Sequence, residues 1–591
     1  MSDAFAKPLP WRRPCPGPWR RGLRGVGLLM TTWLAAAGLV AAPQAAERAA
    51  GSGATGSVSP GSVWNGSVWS RSATAGETAG PARTIAIVAT GDLKGRITPI
   101  APGDAPGRGL AHLAQPLAGL RARYASLVLL DSGDALAGSP PVATDGPGAM
   151  PALMNHLGYA AMALGNQDFV AGAEALHAWR AATNFPWLAA NLTAEQGPPP
   201  FPPYHVVERD GVRIGILGLT NPALPAWSDP ARWAGWRIQG LVAAARHWVP
   251  ILREQERADV VVALVHAGTE ADYDEETALH SGLPRSNAAG VLADAVPGMD
   301  LVISGHAHRL FPRFPLQGAS DYRTPIIRTG AYGEALAVAE LRLRQAGGRW
   351  HVVHLSRSTV PAAAVPDPAL LALATDSLAR QRAWLAVPLG VRLLRHPRRG
   401  AFNRCTGELG HRAVLRWQAL ARGSVAAPAT LSLLPGLWHL DARALPPAGE
   451  PLRRGHLWQW LPYDNRLLLA ELYPRQVGLL LQDYADHQRQ RRVRYAGVLY
   501  PGGMQVALKG GGLPTPLTMD GAPWPSGTAR RVWLADYHAF GGAGLAPRAL
   551  LRPSQWLTLS PMRHRDAVEA LLRDRAAPLP PDCATFLARE D

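Results

Sequence analysis

The chain has 591 residues, 47% of them hydrophobic; that length calls for two or three domains, and that composition excludes a disordered protein. Its formal charge of +16 is carried almost wholly by arginine, since Lys7, Lys94 and Lys509 are the only lysines. The arginines are scattered apart from the run Arg489-Gln490-Arg491-Arg492-Val493-Arg494, and no nucleic-acid-binding motif accompanies them. A biased gene composition can account for the excess, a basic surface would also attract anionic nucleotides, and no dedicated nucleic-acid partner is expected.

The N-terminus reads as an export signal over residues 1–45. Arg12, Arg13, Arg20, Arg21 and Arg24 form its basic part, Val26 to Val40 its apolar part, and Val40-Ala41-Ala42 a small-residue cleavage site. A membrane anchor is the alternative, but the apolar run is shorter than the ~20 residues a spanning helix needs. Residues 46–80, rich in Gly, Ser, Ala and Thr, read as a disordered tether. The mature protein is therefore expected to be periplasmic or secreted, with no membrane segment, and a monomer. Cys15 goes with the signal, which leaves Cys405 and Cys583. In an oxidising compartment these two form either a disulfide or a pair of buried free thiols.

Apolar runs at Thr84–Ala89, Leu127–Leu130, Val212–Leu217, Asp259–Val265, Leu301–Ile303 and Val338–Leu343 read as buried strands. Leu110–Ala125 and Leu241–Arg257 read as helices between them, an α/β layered pattern. Five short motifs occur in this part of the chain: Thr90-Gly91-Asp92-Leu93-Lys94, Asp131-Ser132-Gly133-Asp134, Gly165-Asn166-Gln167-Asp168, Val265-His266-Ala267-Gly268 and Gly305-His306-Ala307-His308. Each follows an apolar run, and strand C-termini are where open α/β sheets place their ligands. The motifs bring Asp, Asp, Asn and three His to strand ends, a donor set for two divalent cations that share one carboxylate. Such a pair serves phosphoester hydrolysis, because one cation activates a water and both neutralise charge that grows in the transition state.

The order and spacing of these motifs resemble the calcineurin-like metallophosphoesterases. Within them they resemble the secreted 5′-nucleotidase group and its 2′,3′-cyclic-nucleotide 2′-phosphodiesterase/3′-nucleotidase branch. The blocks Leu130–Pro140 and Val296–Pro312 carry the likeness most strongly, and it extends from about Thr84 to the C-terminus. The resemblance implies a four-layer α/β metallophosphoesterase domain over 81–362, an interdomain helix and linker over 363–389, and a mixed α/β substrate-binding domain of the 5′-nucleotidase type over 390–591. It implies that Asp134 bridges the metals, that Asn166, His266 and His306 complete one site, and that Asp92 and His308 serve the other. The metal could be Zn, Mn, Fe or Co, since Asp, Asn and His suit all four.

Two positions depart from the family. Lys94 stands where a metal-ligating histidine is expected, and Gln167 where a transition-state-stabilising histidine is expected. Lysine does not ligate while protonated, so its ammonium either sits near the vacated position and replaces part of the lost charge or points to solvent. Gln167 can donate a hydrogen bond but cannot protonate a leaving group, a contribution worth ~10²–10⁴ in rate. Asn166, Gln167 and Lys94 are thus the residues expected to govern catalysis, over one metal or two.

In the C-terminal part, Trp460-Leu461-Pro462-Tyr463-Asp464-Asn465-Arg466-Leu467 and Ala535-Asp536-Tyr537-His538-Ala539-Phe540-Gly541-Gly542 resemble the family's two base-binding segments. The resemblance makes Tyr463 and Tyr537 the rings that sandwich a nucleobase, with Trp460 and Phe540 as alternative rings. Asn465 would lie beside base or ribose, and Gly541 and Gly542 would let backbone approach the ligand. Arg404–Gly410 resembles the opening of this domain, whereas Leu434-Pro435-Gly436-Leu437-Trp438 departs from the family's Gly-Gly-Arg turn. The expected function is an exported metal-dependent nucleotidase or 2′,3′-cyclic-nucleotide phosphodiesterase. The alternatives are a catalytically impaired nucleotide-binding protein, and the same fold acting on another ester.

Overall fold

The computed structural model describes residues 64–70, 81–100, 106–136, 138, 146, 148–226, 230–269, 286–311, 322–421, 429–435, 445–461, 463–491, 499–506, 518–519, 522–540 and 555–590. The expected export signal, Gly541 and Gly542 lie outside these. Val58–Asp591 forms one compact unit.

Two sheets face each other in the first half. The larger contains, in chain order, β1 (Trp64–Ser70), β2 (Ala82–Thr90), β3 (Leu127–Asp131), β4 (Ala161–Ala163) and β5 (Trp187–Leu188), together with two long strands from after the second sheet. The second sheet holds β7 (Tyr204–Arg209), β8 (Val212–Leu219), β10 (Val260–Val265), β11 (Leu301–Ser304) and β12 (Ile326–Arg328). A small ribbon of β6 (Leu192–Ala194) and β9 (Trp236–Ile238) lies beside them. With β13 (Ala335–Ala346) and β14 (Arg349–Pro361), the first sheet runs β1-β14-β13-β2-β3-β4-β5 and the second β12-β11-β10-β8-β7.

The apolar runs build this sandwich because both faces of their strands are buried. Ile85, Ile87, Val128 and Leu130 meet Ile214, Ile216, Val260, Val262 and Leu264 between the sheets. On the outer face of the first sheet, Ala86 and Val88 pack against helices Ala114–Arg123, Met150–Leu157 and Ala173–Ala181. On the outer face of the second, Val261, Ala263 and Val265 pack against helices Leu241–Pro250 and Ala289–Ala295. The order helix, sheet, sheet, helix is the expected four-layer arrangement.

Strands β2, β3, β4 and β5 are mutually parallel, as are β8, β10, β11 and β12. Thr90 is paired with Asp131 at the ends of β2 and β3. The residues that follow β2, β3, β4, β10 and β11 are those of the five motifs, so the motif residues leave the two sheets at strand C-termini.

Two local expectations are corrected. Trp64–Ser70, placed by composition in a disordered tether, is an antiparallel edge strand on β14. The open edge of β14 offers backbone hydrogen bonds that composition does not register. The expected helix Leu241–Arg257 is regular only to Pro250 and continues as a wider turn over Ile251–Gln255. Proline in a helix interior removes one N–H from the ladder and crowds the preceding turn.

Helices Pro368–Leu373 and Thr375–Leu385 occupy the expected interdomain stretch, the first capped by Asp367 accepting from the Leu370 N–H at 2.9 Å. Beyond them, β15 (Pro388–Leu393) pairs with β17 (Pro451–Arg453) and with β24 (Leu587–Arg589). A five-stranded mixed sheet follows the order β19-β16-β22-β18-β23, where β16 is Leu431–Pro435, β18 Arg466–Leu472, β19 Leu499–Gly502, β22 Arg530–Ala535 and β23 Trp556–Arg563. A two-residue hairpin of β20 (Thr518–Met519) and β21 (Ala522–Pro523) completes the described strands. Trp460, an alternative stacking ring by sequence, is 1% exposed and packs edge-on against Phe402, so it is core.

Cys405, on helix Arg399–Leu420, is bonded to Cys583 in the short helix Pro581–Ala584, across 178 residues. This settles the choice left open by sequence in favour of a disulfide. Closing so long a loop restricts the unfolded chain, and such a bond typically contributes about 2–4 kcal/mol. Cys405→Ala with Cys583→Ala is therefore expected to lower the unfolding free energy by that amount in urea titrations. Identical midpoints with and without the bond would show that these helices are held by packing alone.

Candidate functional site

Asp92 and Asp134 are the centre of the site, both at most 1% exposed. Their backbones are cross-tied, with the Asp92 N–H on the Gly133 carbonyl and the Lys94 N–H on the Asp134 carbonyl, each at 2.8 Å. Asp92 Oδ2 accepts the His306 N–H at 2.7 Å, and Asp134 Oδ1 accepts the Gln167 N–H at 2.7 Å. The turns that do this are unusual. Asp92, Lys94, Asp134, His306, His308 and Tyr332 all have φ between 50° and 69°, a left-handed region that side-chain-bearing residues seldom occupy. Gly165 is required where it is, because a Cβ there would overlap the Asp134 carboxylate.

Two further carboxyls hold these turns. Asp168 accepts the N–H groups of Asp134 and Gly165 at 3.0 and 2.9 Å. Asp131 accepts the Gly133 N–H at 2.8 Å and the Thr90 hydroxyl at 2.6 Å. Burial pushes both carboxyls up to about 7, against the pull of these donors. The sequence motifs contained Asp131 and Asp168 without showing that they position the turns.

Three histidines converge on the pair. His266 donates from Nδ1 to the Ser132 carbonyl at 2.8 Å, which turns Nε2 to within 3.3 Å of Asp134 Oδ2. His306 lies beside it, ring centroids 5.1 Å apart. His308 Nε2 is 3.2 Å from Asp92 Oδ1, and its ring meets Tyr332 edge-on. Lys94 is 5% exposed and does not point to solvent. Its Nζ lies 2.7 Å from Asp134 Oδ2 and 3.3 Å from Asp92 Oδ1.

Burial alone would push the two aspartates up. For Asp92 the opposing charges are His308, Lys94 and His266, and for Asp134 they are His266 and Lys94; both carboxyls are held well below the usual carboxylate range. Burial opposes charge on Lys94 too, but the two carboxylates outweigh it and raise its pKa. The same balance, burial down and Asp134 and Asp92 up, takes His266 to about 9. Burial and the neighbouring His266 drive His306 well below the ordinary histidine value.

Asp92, Asp134 and His266 offer ligand atoms within 4.8 Å of one another. Asn166 Oδ1 and His266 Nε2 are buried and make no hydrogen bond, as expected of atoms reserved for a cation. Two carboxylates, an imidazole and a buried amide oxygen are donors that suit a divalent cation. The Lys94 ammonium contacts both carboxylates, so an ion bound by Asp92 and Asp134 together would compete with it.

An open cleft of about 700 Å³ joins this centre to the C-terminal half. Its walls include Lys94, Asn166, Gln167, His306 and His308 on one side and Tyr463, Asn465 and Tyr537 on the other. Lys94, Asp134, Asn166, Gln167, His306, His308, Tyr463, Asn465 and Tyr537, all singled out by sequence, thus line one cleft; Asp92 and His266 lie behind its surface, and Trp460 does not reach it. The Tyr463 turn is anchored by Arg565, which is 2% exposed, pairs with Asp464 and lies over the Trp458 ring at 3.5 Å. Asp536 starts the helix Asp536–Phe540 and accepts the N–H groups of Tyr537 and Arg466 at 2.8 and 3.0 Å, fixing Tyr537 beside the start of β18. Sequence reasoning missed Arg232, Asp464, Asp536 and Tyr332. Asp464 and Asp536 adjoin the two tyrosines already singled out, whereas Arg232 and Tyr332 carry no local signal.

Burial pushes Asp536 up to about 7 although Arg232 draws it down. Below about pH 4 it is protonated whether folded or unfolded. Between about 4 and 7 only the unfolded chain releases the proton, so folding weakens as pH rises through that window. Asp536→Asn, which keeps the acceptor, is expected to flatten this part of the stability-versus-pH curve. An unchanged slope in thermal melts from pH 4 to 8 would assign the window to Asp131 and Asp168 instead.

No family model matches the chain. It is 31% identical over 280 residues to a 2′,3′-cyclic-nucleotide 2′-phosphodiesterase/3′-nucleotidase of Salmonella typhimurium, covering 43% of this chain and 42% of that one. The alignments to the curated relatives span less than half of those proteins' lengths. Among solved structures it superposes on a 5′-nucleotidase precursor of Thermus thermophilus with a TM-score of 0.60 at 20% identity, covering 83% of this chain and 96% of that one. It also superposes on the sulfate thiohydrolase SoxB of Thermus thermophilus, TM-score 0.55 at 17% identity, covering 83% and 94%. Over 280 residues the chain is similar in sequence to a cyclic-nucleotide phosphodiesterase/nucleotidase, and over most of its length it shares the fold of the 5′-nucleotidase structure.

Proposed function

We propose that the chain is an exported, metal-dependent phosphoester hydrolase that acts on nucleotides, either nucleoside monophosphates or 2′,3′-cyclic nucleotides. The observation that carries this reading is the single cleft whose one wall is an Asp, Asn and His cation site and whose other wall presents Tyr463, Asn465 and Tyr537. Phosphate requires the first wall and a base the second, and base–aromatic stacking contributes about 1–3 kcal/mol per base. Asp134, Asn166, His266 and His306 would hold a Zn, Mn, Fe or Co ion, which supplies an activated water and neutralises phosphoryl charge. Export is supported by the N-terminal signal pattern and by the Cys405–Cys583 bond, which persists in oxidising compartments. No described helix is long and apolar enough to cross a membrane.

The chain's own residues divide the remaining work. Asn166 and His306 face the cleft beside Asp134, so a phosphoryl group held there lies against the cation site. Gln167 is fixed by its backbone N–H on Asp134 and lines the cleft, where its amide can donate to a phosphoryl oxygen. It cannot deliver a proton to a leaving alkoxide, so turnover is expected to be slow relative to an enzyme with histidine there. That substitution favours a second reading, a nucleotide-binding protein with little or no turnover.

Hydrolysis of 3′-, 5′- and 2′,3′-cyclic nucleotides by the metal-loaded protein decides between the two. Turnover of any of them, lost in Asp134→Asn and in His306→Ala, is the expected result. Retained turnover in either variant would overturn the assignment, and nucleotide binding without turnover would establish the second reading. Hydrolysis of a sulfur ester alone would leave the fold and cation site standing and change the substrate. Tyr463→Ala is expected to raise KM for a nucleotide by about 5- to 150-fold with a smaller effect on kcat, from the lost stacking.

A further inference from the structure

We propose that the Lys94 ammonium is a built-in cation that takes the place of one of two metal ions, so that this chain binds a single divalent ion. The inference rests on the metal-dependent reading above and specifies how its centre is charged.

The oxygens of the two aspartates are accounted for one by one. Asp92 Oδ2 is held by the His306 N–H at 2.7 Å, and Asp92 Oδ1 lies 3.3 Å from Lys94 Nζ and 3.2 Å from His308 Nε2. Asp134 Oδ1 is held by the Gln167 N–H, and Asp134 Oδ2 lies 2.7 Å from Lys94 Nζ. A second metal ion bound by both carboxylates would have to displace the ammonium from between them. A protonated amine has no lone pair to share with it, so Lys94 and that ion compete for one position.

Lys94 is built into this place. Its backbone is left-handed, its N–H is bonded to the Asp134 carbonyl, and the next N–H, of Gly95, is bonded to the Ala135 carbonyl. Gly138 covers its aliphatic stem so closely that a Cβ there would come within 3.3 Å of Lys94 Cδ. The residue type also carries information. Of the 60 basic residues only three are lysines, so drift in this chain runs toward arginine. Arginine's planar fork cannot serve as the compact point charge that a position between two carboxylates needs.

The charges add up to a working anion site. Two carboxylates with one divalent ion are neutral, with two divalent ions carry +2, and with one ion and the ammonium carry +1. Lys94 thus restores half of the charge that a missing second ion would remove, and it does so at the cleft surface where a phosphoryl group would lie.

The test is metal stoichiometry of the mature protein saturated with Mn²⁺ and then desalted, read by elemental analysis and by the electron paramagnetic resonance of the bound Mn²⁺. One equivalent and an uncoupled spectrum are expected. Lys94→His supplies a ligand in place of the ammonium and is expected to raise the count to two, with an exchange-coupled spectrum. Lys94→Met keeps length without charge. It is expected to retain one ion and to bind inorganic phosphate at least about tenfold more weakly, the scale of a lost charge-assisted hydrogen bond. Two equivalents in the unaltered protein, or unchanged phosphate affinity in Lys94→Met, would overturn the inference and leave the phosphoesterase reading intact. No bound metal in the unaltered protein would overturn both.

Discussion

Two buried carboxylates cannot stay ionised side by side unless positive charge lies between them. Asp92 and Asp134 are such a pair, and much of the first half of the chain serves to satisfy them. Lys94 and His308 approach Asp92, Lys94 and His266 approach Asp134, and backbone N–H groups cap the oxygens that face inward. Remove the cations and each carboxyl would meet its burial penalty with hydrogen bonds to set against it and little positive charge, as Asp131 and Asp168 do. Those two rise to about 7, whereas the central pair is held below the carboxylate range. The contrast separates carboxyls that position backbone from carboxyls that hold cations.

Convergence of this kind has a conformational cost. Six left-handed residues that are not glycine surround the centre, and such conformations cost of order 1–3 kcal/mol each. They persist because the strands feeding them are fixed at both faces. β2 and β3 are sealed between the two sheets on one side and by helices on the other, and β10 and β11 are sealed in the same way. The parallel arrangement matters as much as the packing. It sends the strands that carry the motifs toward one edge, so five short turns from distant parts of the sequence meet there.

What the sequence made legible follows from that geometry. Apolar runs identified β2, β3, β8, β10, β11 and β13, and residues placed immediately after such runs were bound to collect at strand ends. The ligand set was therefore readable as a group even though no single histidine carried a signal. The direction of the Lys94 side chain was not readable. It is set by a left-handed turn and by the Gly138 contact, and neither has a sequence signature. The Cys405–Cys583 bond joins helices far apart in the chain, and cysteine counting left it open. The edge strand Trp64–Ser70 was hidden because its pairing depends on a free edge of β14, a property of the partner and not of the segment itself. Arg232 and Tyr332 reach the site from stretches without a motif, through folding alone.

The two walls of the cleft are held by different kinds of force, and this bears on how a ligand would be read. The cation wall is rigid, since its residues are buried, cross-bonded and tied to two sheets. The aromatic wall hangs on a few polar anchors. Arg565 pins the Tyr463 turn through Asp464 and the Leu461 carbonyl, and Asp536 pins Tyr537 to the start of β18. Both anchors are ionisable groups brought out of water, and such groups hold geometry firmly only while every partner stays in place. On the proposed function, recognition of a base would therefore be more easily altered by substitution than phosphate binding would. Within one fold the phosphate end is expected to change little while the organic end diversifies.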